Sequence, residues 1–345
     1  MKKQYRHLIV VLALLPGLVA FEALGQSNER FGTAALSELT VPVTPRTIAL
    51  GSTLTGGMNG ASGVEALISN PAAILVNPST TAMFSRMNYV ADVGVNYFGV
   101  TQRFGASNIG LTVTNWDYGD IPETTVENPE IDPNNTWSAA TIAVGLTYGR
   151  QLTDRIAAGI TFKGLSQRID DIDARTVALD AGMTYIVGES GLRFGVSLRN
   201  FGPQFSFDGV GLQDPIITAS PAGTYEVPGE IRDVRSELPS MLNFGAVYES
   251  NLSSDLTATV LANFRSNSYD VNQYAGGLEL AFQGLLFMRA GLDVSSEQEL
   301  VHWAEWNVGA GLVLPIGPSR LMVDYAYRPS KVFNSVNVFA ASFTL

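Results

Sequence analysis

Among its 345 residues the chain has no cysteine. That removes disulfides, thiolate metal sites and cysteine nucleophiles together. Charge is scarce as well: Asp, Glu, Lys and Arg make up 15% of the chain, against about 25% in soluble domains. Basic residues are the minority, 21 against 32 acidic, for a net charge of −11 and a sequence pI near 4.7. Such a balance argues against nucleic acid as a partner, because phosphates need a Lys/Arg surface. Past the N-terminus there is no apolar run of the ~20 residues a membrane helix requires. Hydrophobic residues nevertheless make up 46%. Low charge without a membrane helix leaves two options, a large core or a transmembrane barrel.

What is present begins with an export signal over residues 1–25. Lys2, Lys3 and Arg6 form a basic start, Leu8 to Leu18 an apolar run, and Ala23-Leu24-Gly25 a small-x-small cleavage site. Cleavage there makes Gln26 the first mature residue. From Thr81 onward the hydrophobic period is two. Ile142, Val144, Leu146 and Tyr148 alternate with Thr141, Ala143, Gly145 and Thr147. Leu286, Met288, Ala290 and Leu292 alternate with Phe287, Arg289, Gly291 and Asp293. Each segment has one apolar face and one small or charged face, the alternation of a β-strand.

A soluble sandwich also alternates, but three features favour a membrane barrel. The segments run to about 10 residues or more, the spanning length of a tilted strand. Aromatics (Tyr89, Tyr97, Trp116, Tyr118, Tyr148, Tyr185, Tyr325 and Tyr327 among them) lie near segment ends, where an interfacial girdle belongs. Connections alternate in length: Gly105-Ala106, Gln151-Leu152 and Gln283-Gly284 are tight, whereas 119–135 and 202–237 are long. The segments number fourteen, an even count as bacterial barrels have. The last one carries Phe339, Ala341, Phe343 and Leu345 on one face, as in terminal strands read by outer-membrane assembly. The fold class is therefore all-β, a transmembrane antiparallel barrel over 81–345. Residues 26–80 form an N-terminal segment expected in its lumen as a hatch.

That segment contains Arg46-Thr47-Ile48-Ala49-Leu50-Gly51, a Gly-rich passage, and Asn70-Pro71-Ala72. It is no phosphate loop, since no Gly-Lys-Ser/Thr follows. Together with Asp180 to Tyr185, Asn200-Phe201-Gly202-Pro203, Arg289 to Leu292 and Val323 to Tyr327, these motifs resemble the PorV/PorQ family of outer-membrane proteins. That family is related to the FadL-type fatty-acid transporters. Ser52 and Ala73-Ile74 depart from the family pattern, which has Gly and Gly-Leu there. The resemblance implies a barrel of about 14 strands with a lumen hatch, whose motif residues are Arg46, Gly51, Asn70, Pro71 and Ala72. It also implies a role in type IX secretion, with the translocon and cargo signal domains as partners beside outer-membrane lipid. The rival expectation is a FadL-like channel for a hydrophobic small molecule, with the hatch as gate.

Three groups of residues are candidates for function. Inward parity gathers Lys163, Asp180, Arg193, Arg199, Arg265, Glu279, Arg289, Asp293, Asp324 and Arg328 in the lumen. Mixed signs in a confined space favour paired charges that fill the lumen and hold the hatch, over a conduction path. Phe201, Phe205, Phe207, Tyr225, Trp116 and Tyr118 are candidate partner-binding aromatics of the external loops. The loop carboxylates (Asp117, Asp120, Glu123, Glu127, Glu130 and Asp132 in one, Asp208, Asp214, Glu226, Glu230 and Asp233 in the other) lack EF-hand spacing. No metal or cofactor is expected. His302, with Ser295, Ser296, Glu297 and Glu299 nearby, is the sole histidine left after cleavage, and an isolated surface histidine does not make an enzyme.

Overall fold

The computed structural model describes residues 33–61, 63–77, 79–124, 129–130, 132, 135–213, 216–220, 223–227, 229, 235–295 and 305–345. For 216–220 and 223–227 it describes the backbone only. The proposed export signal and cleavage site lie outside the described residues. So do His302, Ser296, Glu297 and Glu299, whereas Ser295 closes a strand.

Fourteen strands form a closed antiparallel barrel. They are β1 (Thr81–Asn88), β2 (Gly94–Phe104), β3 (Ser107–Pro122), β4 (Thr136–Gln151), β5 (Ile156–Ile169), β6 (Ile172–Ile186) and β7 (Leu192–Phe201). After the long connection come β8 (Met241–Asn251), β9 (Leu256–Asn267), β10 (Gln273–Phe282), β11 (Leu286–Ser295), β12 (Trp306–Ile316), β13 (Ser319–Arg328) and β14 (Val336–Thr344). Each strand pairs with its sequence neighbour, and β1 closes on β14 with Thr81 opposite Thr344. Closure removes both sheet edges, the condition for a sheet to cross hydrocarbon.

The alternation inferred from sequence runs as expected. Leu146, Phe162, Met288, Leu292 and Phe339 point outward and stay exposed, while Thr147, Thr161, Arg289 and Asp324 point inward and are buried. An apolar outer face of this extent, 39% exposed at Phe343 and 62% at Met288, is a lipid-facing surface. Outward aromatics mark its rims: Trp306 meets Tyr327 at 6.1 Å on one, with Tyr148 and Tyr185 on the other. Three residues assigned to the girdle are elsewhere. Tyr97 and Trp116 are buried inside the barrel, and Tyr89 packs edge-on against Trp116 with ring centroids 5.3 Å apart. Trp116 shares the parity of Thr112 and Thr114, so the pleat carries it inward.

One end has tight turns, with Gly105 and Gly317 at positive φ; the other has the long connections, and is the external end. Not every external connection is long: Asp170 and Asp171 alone join β5 to β6. Strands β3 to β6 have 14–16 residues, and the remaining strands 8–12. The wall is thus taller on that side.

Residues 45–75 lie within the barrel and are almost wholly buried. They form a short helix α1 (Pro45–Ala49), a second short helix α2 (Gly63–Leu67) and 3-10 turns at Leu54–Gly56 and Pro71–Leu75. Upstream, the chain sits at the external end, where Ala35 N–H donates to Glu237 O at 3.1 Å. Downstream it leaves toward the tight-turn end to begin β1.

Candidate functional site

The interior segment meets the wall through two kinds of contact. Around Arg46 the contact is ionic. Arg46 Nη1 donates to Glu65 Oε2 at 3.0 Å and to Gly60 O at 2.6 Å, and Nε lies 3.1 Å from Glu279 Oε2 on β10. The same Glu279 oxygen accepts from Arg289 Nε of β11 at 2.6 Å, and Arg289 Nη1 reaches Asp324 Oδ1 of β13 at 2.5 Å. Both guanidinium carbons lie 5.4 Å from the centroid of the Phe287 ring. Burial alone would push the Arg46 guanidinium down, but Glu65, Glu279 and Asp324 outweigh it and hold the group above its ordinary value. Five buried ionic side chains thus join the segment to three strands.

Local chemistry sets the geometry of α1. Gly51 sits at φ +65 just past the helix, with Gly51 N–H donating to Ile48 O at 3.0 Å and Ser52 N–H to Thr47 O at 2.7 Å. That is a Schellman cap, which favours glycine at this position. A Cβ there would also come within 2.7 Å of Leu292 O on the wall. Pro45 occupies the first turn, where its missing N–H costs nothing.

Around Asn70 the contact is one of shape and backbone hydrogen bonds. Asn70 Oδ1 accepts from Ala72 N–H at 2.9 Å, capping the turn that Pro71 opens. Its Nδ2 donates to Thr55 O at 2.7 Å and to the carbonyls of Met183 on β6 (3.2 Å) and Val196 on β7 (3.4 Å). Ser197 Oγ donates to Ser69 O at 2.8 Å. Glycines on the inner face make the approach possible. A Cβ at Gly182 would overlap Asn70 Oδ1, one at Gly159 would lie 2.5 Å from the Pro71 carbonyl carbon, and one at Gly195 would overlap Thr55 O.

These glycines are paired across strands: Gly159 with Gly182, Gly195 with Gly245, and Gly277 with Gly291. Gly291 and Gly309 do the same for α1, where a Cβ would lie 2.5 Å from Gly51 N and 2.6 Å from Ala49 Cβ. A band of glycine therefore circles the lumen where the segment lies. The motifs singled out in the sequence fall on this interface: Arg46, Gly51 and Asn70 on the segment, Asp180 to Tyr185 with Gly182, Arg289 to Leu292 with Gly291, and Val323 to Tyr327 with Asp324.

The expected lumen charges are all inward, but they form separate groups. Glu279, Arg289 and Asp324 join Arg46. Lys163 Nζ pairs with Asp180 Oδ2 at 2.5 Å and donates to Asn200 Oδ1 at 2.9 Å. Asp180 Oδ1 accepts from Asn200 N–H at 2.7 Å, where the β6–β7 register slips and Asn200 takes φ +55. Arg328 pairs with Asp293 at 3.3 Å, and Arg265 rests on the neutral oxygens of Asn243 (3.1 Å) and Gln273 (2.9 Å). Arg193 lies nearer the tight-turn end, its Nη1 without a hydrogen-bond partner.

Sequence reasoning missed Glu65. It had a signal: Arg46 and Glu65 are the two charged residues between positions 46 and 74. The glycine pairs were missed too, because the strand assignments left unpaired register unknown.

Above the segment, a cavity of about 60 Å³ opens between it and β2–β5. Leu39, Val41, Val43, Ile68, Tyr97 and Trp116 line it, with Lys163 and Arg199 at its polar side. Of the candidate partner-binding aromatics, Trp116 thus belongs to the interior. Phe205 is likewise buried, packed with Leu36, Leu165 and Leu238 and 6.1 Å from Phe207. Tyr118 is half-buried beside Trp116. Phe201 is exposed at the end of β7, and the Tyr225 backbone lies in a hairpin opposite Thr218.

No protein-family model and no curated protein matches the chain. Solved structures do. The chain is similar to the CymD monoaromatic hydrocarbon channel at TM-score 0.59, with 11% identity over 91% of this chain and 98% of that one. The Pseudomonas putida toluene transporter TodX gives TM-score 0.55 and 12% identity, over 87% of this chain and 97% of that one. A Pseudomonas aeruginosa FadL homologue gives 0.52 and 12%, over 88% and 98%. The fold is that of the FadL-like outer-membrane barrels. With its lipid-facing belt, it belongs in the bacterial outer membrane. Identities this low concern the fold alone.

Proposed function

We propose that the barrel is a channel for uptake of a small hydrophobic molecule across the outer membrane, with residues 45–75 as its gate. The observation that carries this reading is the seating of that segment. It lies in the lumen of a FadL-like barrel, tied to β10, β11 and β13 by one buried ionic group and resting on the other strands through inner-face glycines. CymD and TodX, which share the fold, are described as channels for monoaromatic hydrocarbons and toluene. An apolar cavity lies directly above the segment. At about 60 Å³ it is smaller than the roughly 150 Å³ that holds a benzene ring, so passage needs the segment to shift.

The secretion role implied by the sequence resemblance has no such support. No family model matches, and two of its candidate docking aromatics, Trp116 and Phe205, are interior. The test is uptake of radiolabelled toluene and of a longer alkane by cells whose own hydrocarbon channels have been deleted. Expression of this barrel should raise uptake several-fold over an empty membrane. Uptake equal to the empty membrane for both probes would end the channel reading.

A further inference from the structure

The chain upstream of the interior segment crosses the external end of the lumen as a strap. Ser37–Thr40 form a 3-10 turn, and every residue from Ser37 to Val41 is exposed or half-buried. From Pro42 the chain turns buried. Glu38, Leu39, Val41 and Val43 border the cavity on one side, opposite Leu67 and Ile68 of the interior segment. The two sides stand at different heights on the wall. Glu38 Oε1 accepts from Thr141 Oγ1 at 2.6 Å, whereas Leu67 packs over Gly110, the partner of Thr147 six residues further down β4. The cavity is therefore a compartment between two barriers in series, the strap outside and the segment inside.

The strap is fixed firmly at one end only. Downstream, Ser85 Oγ donates to Val43 O at 2.9 Å, Val43 is buried, and the Thr44 and Thr47 hydroxyls meet at 2.8 Å to join the next residue to α1. Upstream, Ala35 N–H donates to Glu237 O at 3.1 Å, and Leu36 packs against Phe205 and Leu238. Leu36 makes that contact at φ +58, a left-handed conformation that strains a residue with a branched side chain. Between these ends the backbone bonds turn back on the strap, Leu39 N–H to Leu36 O and Val41 N–H to Glu38 O. The wall holds it there by side chains. Thr141, Gln167 and Tyr118 take the Glu38 carboxylate, and Arg199 Nη2 reaches Leu39 O at 3.4 Å.

We infer that residues 35–41 are an external lid on the cavity, hinged at Val43 and latched by Glu38. Release of one carboxylate from β3, β4 and β5 frees the middle of the strap. Relief of the Leu36 backbone offsets part of the burial that Leu36 loses as it swings out. Val43 and Thr44 stay in place, so the motion does not reach Arg46 and the interior segment keeps its own anchors. The purpose of the lid rests on the uptake reading, in which a molecule from outside meets the strap first and the segment second. Its opening does not depend on what passes.

The absence of native cysteine lets a single thiol report on the cavity. Thr114→Cys places one on its wall. A membrane-impermeant methanethiosulfonate is added to intact cells, and the rate of modification is followed by mass. In that background Glu38→Ala should raise the rate several-fold while keeping the heat-dependent gel shift of a folded barrel. Ile68→Ala widens the cavity from below without touching the latch, and should leave the rate unchanged. No gain from Glu38→Ala, or an equal gain from Ile68→Ala, would overturn the lid. A lock gives the second readout. Ala34 and Glu237 pair in a parallel bridge, close enough for Ala34→Cys and Glu237→Cys to form a disulfide. Toluene uptake should fall to the empty-membrane level when this pair is oxidised and recover on reduction. Equal uptake in both states, above the empty membrane, overturns the lid and leaves the channel standing. Background uptake in wild type as well ends the channel reading, and the labelling rates then decide the lid alone.

Discussion

The two ends of the interior segment are held by different physics. The α1 end faces β10, β11 and β13 through Arg46, Glu65, Glu279, Arg289 and Asp324, a buried ionic group. The Pro71–Leu75 end faces β4, β5 and β6 with no charge at all, relying on Asn70 and on glycines that let backbone meet backbone. The first kind of contact is sensitive to charge and insensitive to small changes of shape. The second is the reverse. A segment anchored in these two ways has one end that electrostatics can release and one that only steric change can displace.

The largest effect should come from removing the charge that joins segment to wall. Arg46→Met leaves Glu65 and Glu279 without their shared guanidinium. Loss of one partner of a buried ion pair costs about 3–5 kcal/mol. Urea unfolding should show that loss, and planar-bilayer recordings should show frequent openings. Adding Glu65→Gln should recover part of the stability, because it removes one of the three carboxylates then facing Arg289 alone, while Glu279 keeps its pair with Arg289. If the double variant is no better than Arg46→Met, the ionic end is held by packing against Phe287 instead of by charge.

The two ends also differ in how much of them the sequence disclosed. The strands were legible because a two-sided barrel wall imposes strict alternation, and Ile142 to Tyr148 displays it plainly. The ionic end was half legible: inward parity placed Glu279, Arg289 and Asp324, and Arg46 stood in a motif. Their convergence was not, since charges on strands far apart in sequence meet only through closure. The glycine end was the least legible. Gly182 and Gly195 read as ordinary small residues of a polar face, and nothing local distinguishes a space left for Asn70 from a weak strand position. Trp116 was misplaced for a different reason. Its nearness to a strand end outweighed its parity, which it shares with Thr112 and Thr114.

A steric change tests the other end with a smaller effect. Gly182→Ala puts a methyl group where Asn70 Oδ1 now lies. Asn70 would have to leave its contacts with Met183 and Val196, or the segment would have to lift from β6. Overpacking of this kind costs about 1–3 kcal/mol. Salt does not separate the two ends. Raising ionic strength should change the Arg46→Met phenotype little, because buried charges are poorly screened, and leave Gly182→Ala unchanged. A Gly182→Ala barrel as stable and as closed as wild type would mean that the Asn70 turn is not seated on the wall in solution.

The smallest effect probes a single hydrogen bond at the same end. Ser197 Oγ donates to Ser69 O at 2.8 Å, and both residues are buried. Ser197→Ala keeps the small inner-face volume and leaves one carbonyl oxygen short of a donor. The net cost of such a bond is about 1 kcal/mol. Combined with Gly182→Ala, its effect should be less than additive, since both loosen the same turn. Combined with Arg46→Met, the two should add, because the ends touch different strands. Additivity with Gly182→Ala and coupling to Arg46→Met would reverse the division of the segment into two anchors, and would make the interior segment one rigid body that comes away whole.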